Sequence, residues 1–194
     1  MNTLIFVTNN QHKLKEIREI LAFGYKVSSL KDIGLSMEIE ETGATFHENA
    51  LLKAMAVSQA KASDCFADDS GLSVTALNGR PGVRSARYAG EKATHAENRS
   101  LLLHEMTGVV LRDAEFITVI CLLLLQKPVF FEGKIKGQIT MQERGDNGFG
   151  YDSVFIPDGY HQTFAEMQPE QKNKISHRAL AVEQMRKYLV NTIA

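Results

Sequence analysis

Two long β-rich runs, 113–125 and 128–139, stand almost end to end late in the chain and are joined at Lys127-Pro128. Apolar and β-branched residues dominate both, so the pair reads as a hairpin. The earlier chain has a different rhythm. TLIFVT, 3–8, reads as a short buried strand, and QHKLKEIREILA, 11–22, as a helix with Leu14, Ile17, Ile20 and Leu21 on one face. Residues 44–62 form a second helical pattern rich in Ala, Leu, Met and Lys. CFADDSGLSV, 65–74, reads as two short strands broken at Ser70-Gly71, and the Gly- and Pro-bearing GRPGVRSARYAG, 79–90, as a loop. A third helix is predicted over about 93–106, and a last one from near Ser176 almost to the end. Early strand–helix alternation with a late hairpin predicts an α/β fold, a mixed sheet with flanking helices.

The 194 residues, 44% hydrophobic and 23% charged, suffice for one globular domain over 1–194 with a sizeable core. A formal net charge of -1 leaves no broad basic footprint for nucleic acid or a membrane surface. Any anion must be held by a few local groups. Cys65 and Cys121 lie in apolar stretches without metal-type spacing and read as buried thiols. MNTLIFVTNN lacks the serial regions of a signal peptide, and the apolar run VICLLLLQ is too short to span a bilayer. A cytoplasmic location is expected.

Four stretches carry residues suited to chemistry. TNNQHK, 8–13, lies where a strand gives way to a helix N-terminus, with free N–H groups and a favourable dipole for phosphate. Lys13 adds a charge one turn in. An ordinary capped loop explains the stretch equally well, and the glycines of a Walker loop are absent. EIEETG, 38–43, crowds acids ahead of ENALLK, 48–53, where Asn49 and Lys53 share a helix face. A carboxylate near Glu40 and the Lys53 ammonium suit a Mg²⁺–phosphate group; solvated acids are the plainer account. FADDSG, 66–71, sets Asp68 and Asp69 in a buried strand. Regular geometry sends adjacent side chains to opposite faces, and a buried acid is expensive without a partner. Metal or base duty competes there with an Asx-turn. NGFGYD, 147–152, brackets Phe149 with glycines, fitting either a base-stacking ring or a turn with a core phenylalanine.

A fifth stretch, KNKISHRALA, 172–181, crowds Lys172, Lys174, His177 and Arg178 around an N-cap candidate, Ser176. A helix N-terminus disfavours cations, so the clustering makes sense if an anion or a carbonyl-bearing ring binds there.

Taken in order, TNNQHK, EETGATFHENALLKA, ADDSGL, NGRPGVRSARYAG, GFGYD and KNKISHRALA resemble the Ham1-type, inosine triphosphatase-like purine nucleoside triphosphate pyrophosphatases over nearly the whole chain. The resemblance implies an elongated, two-lobed Ham1/Maf-type fold with a central curved mixed sheet, an active-site cleft, Mg²⁺ as cofactor and a homodimer. It implies hydrolysis of ITP, dITP and XTP to the monophosphate and pyrophosphate, a cleansing of the nucleotide pool, with no nucleic-acid or membrane partner. Residue by residue, it implies that Thr8, Asn9, Asn10, Gln11, His12 and Lys13 hold the triphosphate. Asn9 and His12 stand where the family pattern has glycines, and both types tolerate left-handed backbone better than most. Glu40 matches a metal-binding acid, Lys53 a phosphate contact, Asp69 a proton acceptor and metal ligand, Asp68 a further ligand, and Ser70 a substrate contact. Phe149, Gly150, Tyr151, Asp152, Lys172, His177 and Arg178 match base-recognising positions. A phosphatase releasing orthophosphate, or a non-catalytic nucleotide-binding module, are the rival readings; binding a polyanion gains nothing from the added acids unless a metal is present.

Overall fold

The early strands pair in parallel and the late ones antiparallel, as the two rhythms of the sequence require. The computed structural model describes residues 2–21, 24–61 and 64–193. Strands β1 (Asn2–Phe6), β2 (Tyr25–Ser29), β3 (Cys65–Val74), β4 (Asp113–Leu124), β5 (Lys127–Ile139) and β6 (Phe155–Pro157) hydrogen-bond in the order β2-β1-β3-β4-β5-β6. β1 is parallel to β2 and β3, while β5 and β6 are antiparallel. The helices are α1 (Gln11–Ile20), α2 (Phe46–Lys61), α3 (His95–Glu105), α4 (Pro169–Ile175) and α5 (His177–Ile193). The expected ends of the first two helices, Ala22 and Ala62, lie outside the described residues.

Three expectations change. CFADDSGLSV is a single strand, β3, without a break at Ser70-Gly71. Strands on both sides pair with it and eight of its ten residues are buried, and Ser70-Gly71 lies inside the strand rather than at a turn. The hairpin turns at Leu125 and Gln126, both left-handed (φ 49° and 67°), which is the geometry of a two-residue primed turn. Pro128 did not mark the turn; a proline is tolerated at a strand's start. Finally, Lys172 and Lys174 fall in a separate short helix, while the last helix begins at His177, next to Ser176, as expected. Ser176 is extended (ψ 154°) and closes α4, its N–H donating to the Lys172 carbonyl. Lys172 and Lys174 therefore sit in the last turn of α4, where the dipole favours cations, and only His177 and Arg178 open α5. β2 and β6 are short strands that hydrophobic patterning did not predict.

The chain divides into two compact units: unit 1 is Met1–Asp69, Thr118–Gly133 and His177–Ala194, and unit 2 is Ser70–Ile117 and Lys134–Ser176. The core of unit 1 gathers Leu4 and Phe6 of β1, Leu14 and Ile17 of α1, Phe66 of β3 and Met185 and Leu189 of α5. Phe6 and Phe66 are register partners and stack at 4.7 Å. On the other face of β3, the Cys65 thiol donates to the Ala54 carbonyl of α2. β5 meets α5 at Gly133, where a Cβ would fall 2.0 Å from the His177 carbonyl oxygen and 2.6 Å from the Ala181 nitrogen. In unit 2 the core gathers Leu72 and Val74 of β3, Leu102 and Met106 of α3, Phe116 of β4, and Phe155 and Phe164. Among the described residues no helix is long and apolar enough to cross a membrane.

Candidate active site

The pleat of β3 decides the chemistry of unit 1. Asp68 follows Phe66 onto the face covered by α1 and α5, and Asp69 follows Cys65 onto the face covered by α2. Both carboxylates are buried, so each needs partners, and each finds them on its own side. Asp68 accepts from Lys13 of α1 at 3.1 Å and from Nε and Nη2 of Arg178 of α5 at 3.4 and 3.3 Å. Arg178, 1% exposed, also donates through Nη1 to Glu16 of α1. Asp69 accepts from Asn49 Nδ2 at 3.1 Å and faces Lys53 Nζ at 3.5 Å, both on α2 and four residues apart. The predicted sharing of a face by Asn49 and Lys53 is thus used on one carboxylate.

The acid that joins Lys53 is Glu41, at 2.5 Å, whereas Glu40 is exposed. Exposure alternates along 36–43, and Ile39, Glu41 and Gly43 share the partly buried parity. Ile39 was the readable signal: an apolar residue two positions away marks the inward side of an extended segment. Gly43 belongs to the same parity because a Cβ there would lie 2.6 Å from Glu48 Cβ and 2.7 Å from Asn49 Oδ1, and its N–H donates to Asn49. Glu16 and Asn49 are the other site residues absent from the expected set.

The strand-to-helix loop is tightly self-bonded. Thr8 Oγ1 accepts from the Asn10 N–H, Asn10 caps α1 by accepting from the N–H groups of His12 and Lys13, and Asn9 donates to the Met37 carbonyl. Left-handed non-glycine backbone among the described residues is confined to Asn78, Leu125 and Gln126. The loop therefore needs no such geometry from Asn9 or His12. Gln11 and His12 are exposed, and Lys13 is half-buried.

Electrostatics separate the groups. Burial pulls the Lys53 ammonium down, but Asp69, Glu41 and Asp68 together outweigh it and its pKa rises. Burial lowers Lys13 despite the opposing pull of Asp68. Asp69 does not behave as a simple ion-pair partner. Burial raises its carboxyl above the ordinary 3.8, Glu41 adds to the rise, and Lys53 and Lys13 only partly oppose it. For Arg178, burial is outweighed by Glu16 and Asp68, which hold the guanidinium charged.

Unit 2 holds a second cluster. Asp152 Oδ2 accepts from Lys172 Nζ at 2.6 Å and from the Phe149 N–H at 2.8 Å. Lys172, buried, also lies 5.2 Å from the centre of the half-buried Phe149 ring. Gly150 is left-handed (φ 62°), carrying the chain from Phe149 back into the core. Tyr151 turns into that core, its hydroxyl donating to the Ser85 carbonyl. Ser70, half-buried, is the first residue of unit 2, and His177, buried, opens α5 in unit 1.

The carboxylates of unit 1 are the residues there whose oxygens would suit a divalent cation. Glu41 and Asp69 converge on one ammonium, and Glu16 and Asp68 lie on the other face, so four carboxylates meet three cations, Lys13, Lys53 and Arg178. Hard oxygen donors suit Mg²⁺. Among the described residues no three His, Cys, Asp or Glu side chains converge closely enough to enclose a metal.

Lysines and paired carboxylates gathered within strand β3 and the helices beside it suit a protein that handles phosphate groups. The Ham1 family profile matches residues 4–188, and the chain belongs to that family. It is 51% identical over 191 residues to a dITP/XTP pyrophosphatase of Porphyromonas gingivalis, covering 98% of each chain. It is 46% identical over 188 residues to the dITP/XTP pyrophosphatase of Flavobacterium psychrophilum, covering 97% of this chain and 99% of that one. The fold superimposes on a HAM1 protein from Coxiella burnetii with a TM-score of 0.89 at 38% identity, covering 99% of this chain and 100% of that one. The Staphylococcus aureus Ham1 protein gives 0.88 at 37%, with 98% and 99% covered.

Proposed function

We propose that this chain hydrolyses deaminated purine nucleoside triphosphates, ITP, dITP and XTP, to the monophosphate and pyrophosphate, as a Mg²⁺-dependent cytoplasmic homodimer that cleanses the nucleotide pool. The observation that carries the reading is β3 itself: adjacent buried carboxylates on opposite faces, each meeting cations from different helices.

Thr8, Asn9, Asn10, Gln11, His12 and Lys13 take the phosphate tail together with Lys53 and Ser70. Glu41 and Asp69, with Asp68 on the other face of β3, are the acids that would hold Mg²⁺, which when bound would supply charge neutralisation and polarisation of the triphosphate oxygens. Glu41 replaces Glu40 in this assignment because it is the one that reaches Lys53. Asp69 takes the proton of a water that attacks the α-phosphorus in line. Two features support that role: burial raises its carboxyl toward the working range of a base, and Asn49 orients one of its oxygens. Lys13 and Lys53 offset charge developing on the leaving pyrophosphate.

Phe149 stacks on the purine, with Gly150, Tyr151 and Asp152 shaping its loop. Lys172 is the donor best placed for the oxygen at ring position 6, since its ammonium already lies over Phe149. Adenine presents a donor there and is refused; a site built for one polarity rejects its inverse by about 10⁴-fold. The resemblance gives His177 and Arg178 to the base as well. The bonds of Arg178 give it first to Glu16 and Asp68, which makes it a support of the carboxylate pair.

A panel of purine triphosphates, with pyrophosphate and monophosphate detection and with or without Mg²⁺, tests the reading. Inosine and xanthosine triphosphates should be cleaved far faster than ATP, and only with the metal. Orthophosphate as the first product, or equal cleavage of ATP, would refute it.

A further inference from the structure

Helix α3 lies outside every motif assigned above, yet two of its side chains reach the loop that carries Phe149. His95 and Arg99 are four residues apart on one face of α3. The His95 ring is tilted against the Phe149 ring with centroids 6.1 Å apart. Arg99 Nη1 donates to the Gly150 carbonyl at 2.9 Å, and its Nε donates to Glu143 Oε2 at 2.8 Å. Glu143 in turn accepts from Ser153 Oγ at 3.1 Å. One guanidinium thus ties both sides of the segment: Gly150, next to the ring, directly, and Ser153, next to Asp152, through Glu143. Arg99 is half-buried, so these bonds are partly shielded from water.

The loop needs such a tie. Its own bonds fix the start and the far end: Asn147 donates to the Met167 and Ala165 carbonyls, while Asp152 holds the Phe149 N–H, the Phe149 carbonyl and Lys172. Gly148 and Gly150, both left-handed, flank Phe149 and leave its backbone with little intrinsic preference. Arg99 acts on the Gly150 backbone from another element, while His95 and Lys172 meet the ring itself.

We propose that Arg99 is a positioning residue for purine recognition, holding the Phe149 ring in its stacking pose through the Gly150 carbonyl, with Glu143 completing the clamp. This rests on the assignment of Phe149 to the base. A ring held in place strengthens binding of a nucleotide without touching the phosphates, so the clamp acts on KM for the nucleoside triphosphate and not on the phosphate end.

The test compares Arg99→Leu, Arg99→Lys and Glu143→Gln, with Phe149→Ala as reference, in steady-state hydrolysis of inosine triphosphate. Inorganic tripolyphosphate, which has no base, serves as a competitive inhibitor. Arg99→Leu should raise KM about tenfold, the scale at which contacting groups couple, with kcat and the tripolyphosphate inhibition constant within about twofold of the parent. Arg99→Lys should recover part of the loss, and Glu143→Gln should move KM the same way by less. In a Phe149→Ala background Arg99→Leu should add almost nothing. Unchanged KM in Arg99→Leu overturns the inference, as does an equal loss of tripolyphosphate binding, which would mean general damage; should Arg99→Leu not fold, Glu143→Gln decides by the same criteria. If Phe149→Ala itself leaves KM unaltered, the assignment of the base to this loop fails first, and the two failures are told apart.

Discussion

The clusters of unit 1 and unit 2 are built on opposite plans. The first draws Lys13, Glu16, Glu41, Asn49, Lys53, Asp68, Asp69 and Arg178 from a strand, an extended segment and three helices, and holds them with buried ion pairs. The second is mostly one loop, 147–152, plus Lys172, and holds its ring with a backbone N–H, one ion pair and a tie to a carbonyl. The charges of unit 1 are fixed by buried ion pairs between several elements; the loop of unit 2 is fixed by its own turn and by single ties to Lys172 and Arg99. Mutations should therefore hurt chemistry and stability in unit 1, and affinity in unit 2.

The sharpest way to break that contrast is Asp69→Asn. It should lower turnover by roughly 10²-fold or more, the scale of general-base loss, while nucleotide affinity stays within about tenfold; near-normal turnover removes Asp69 from the role. Next comes Arg178→Met, which leaves Glu16 and Asp68 buried without their shared cation. It should cost about 3–5 kcal/mol in denaturant unfolding. Lys172→Met should cost less, because Asp152 keeps the Phe149 N–H. The reverse order would sink the comparison.

Phe149→Ala should weaken inosine triphosphate binding by about 1–3 kcal/mol, the usual worth of a base–aromatic stack, with little change in melting temperature. Glu41→Gln should raise the Mg²⁺ concentration needed for half-maximal rate several-fold, whereas Glu40→Gln should not; equal effects would return the metal to Glu40. The smallest effect concerns pH. Because burial lifts the Asp69 carboxyl above 3.8 in the fold, the folded protein holds that proton to higher pH than the unfolded chain. The group's stabilising contribution is complete below pH 3.8 and is lost as pH rises through the raised value. Metal-free Asp69→Asn should therefore gain stability relative to the parent as pH rises from 3.8 through the raised value, measured by paired urea melts, and a shift the other way would mean the carboxyl is not lifted.

How far the sequence reached follows from these plans. Strands and helices with one-sided apolar patterns were legible, as was the split of Asp68 and Asp69 to opposite faces, since the pleat alone dictates it. The family motifs located both clusters. What stayed hidden depended on partners. Ser70-Gly71 looks like a turn, yet it lies inside the continuous ten-residue strand β3. Ser176 marks the start of α5 as expected, but nothing in the pattern shows that it also closes a short helix, α4. Glu40 and Glu41 are indistinguishable as acids, and only the parity set by Ile39 tells them apart. Arg99 carried no motif at all, because its role comes from a carbonyl 51 residues away.

Gly133 has a consequence beyond its own strand. With a hydrogen as its side chain, β5 lets the first turn of α5 settle against it, and Arg178 rides on that turn. A single methyl at 133 has nowhere to go except into the His177 carbonyl. Relief would have to come from sliding the helix start, which drags the guanidinium off the carboxylates of α1 and β3. A missing side chain at 133 thus acts as a spacer gauge for the buried charges of unit 1.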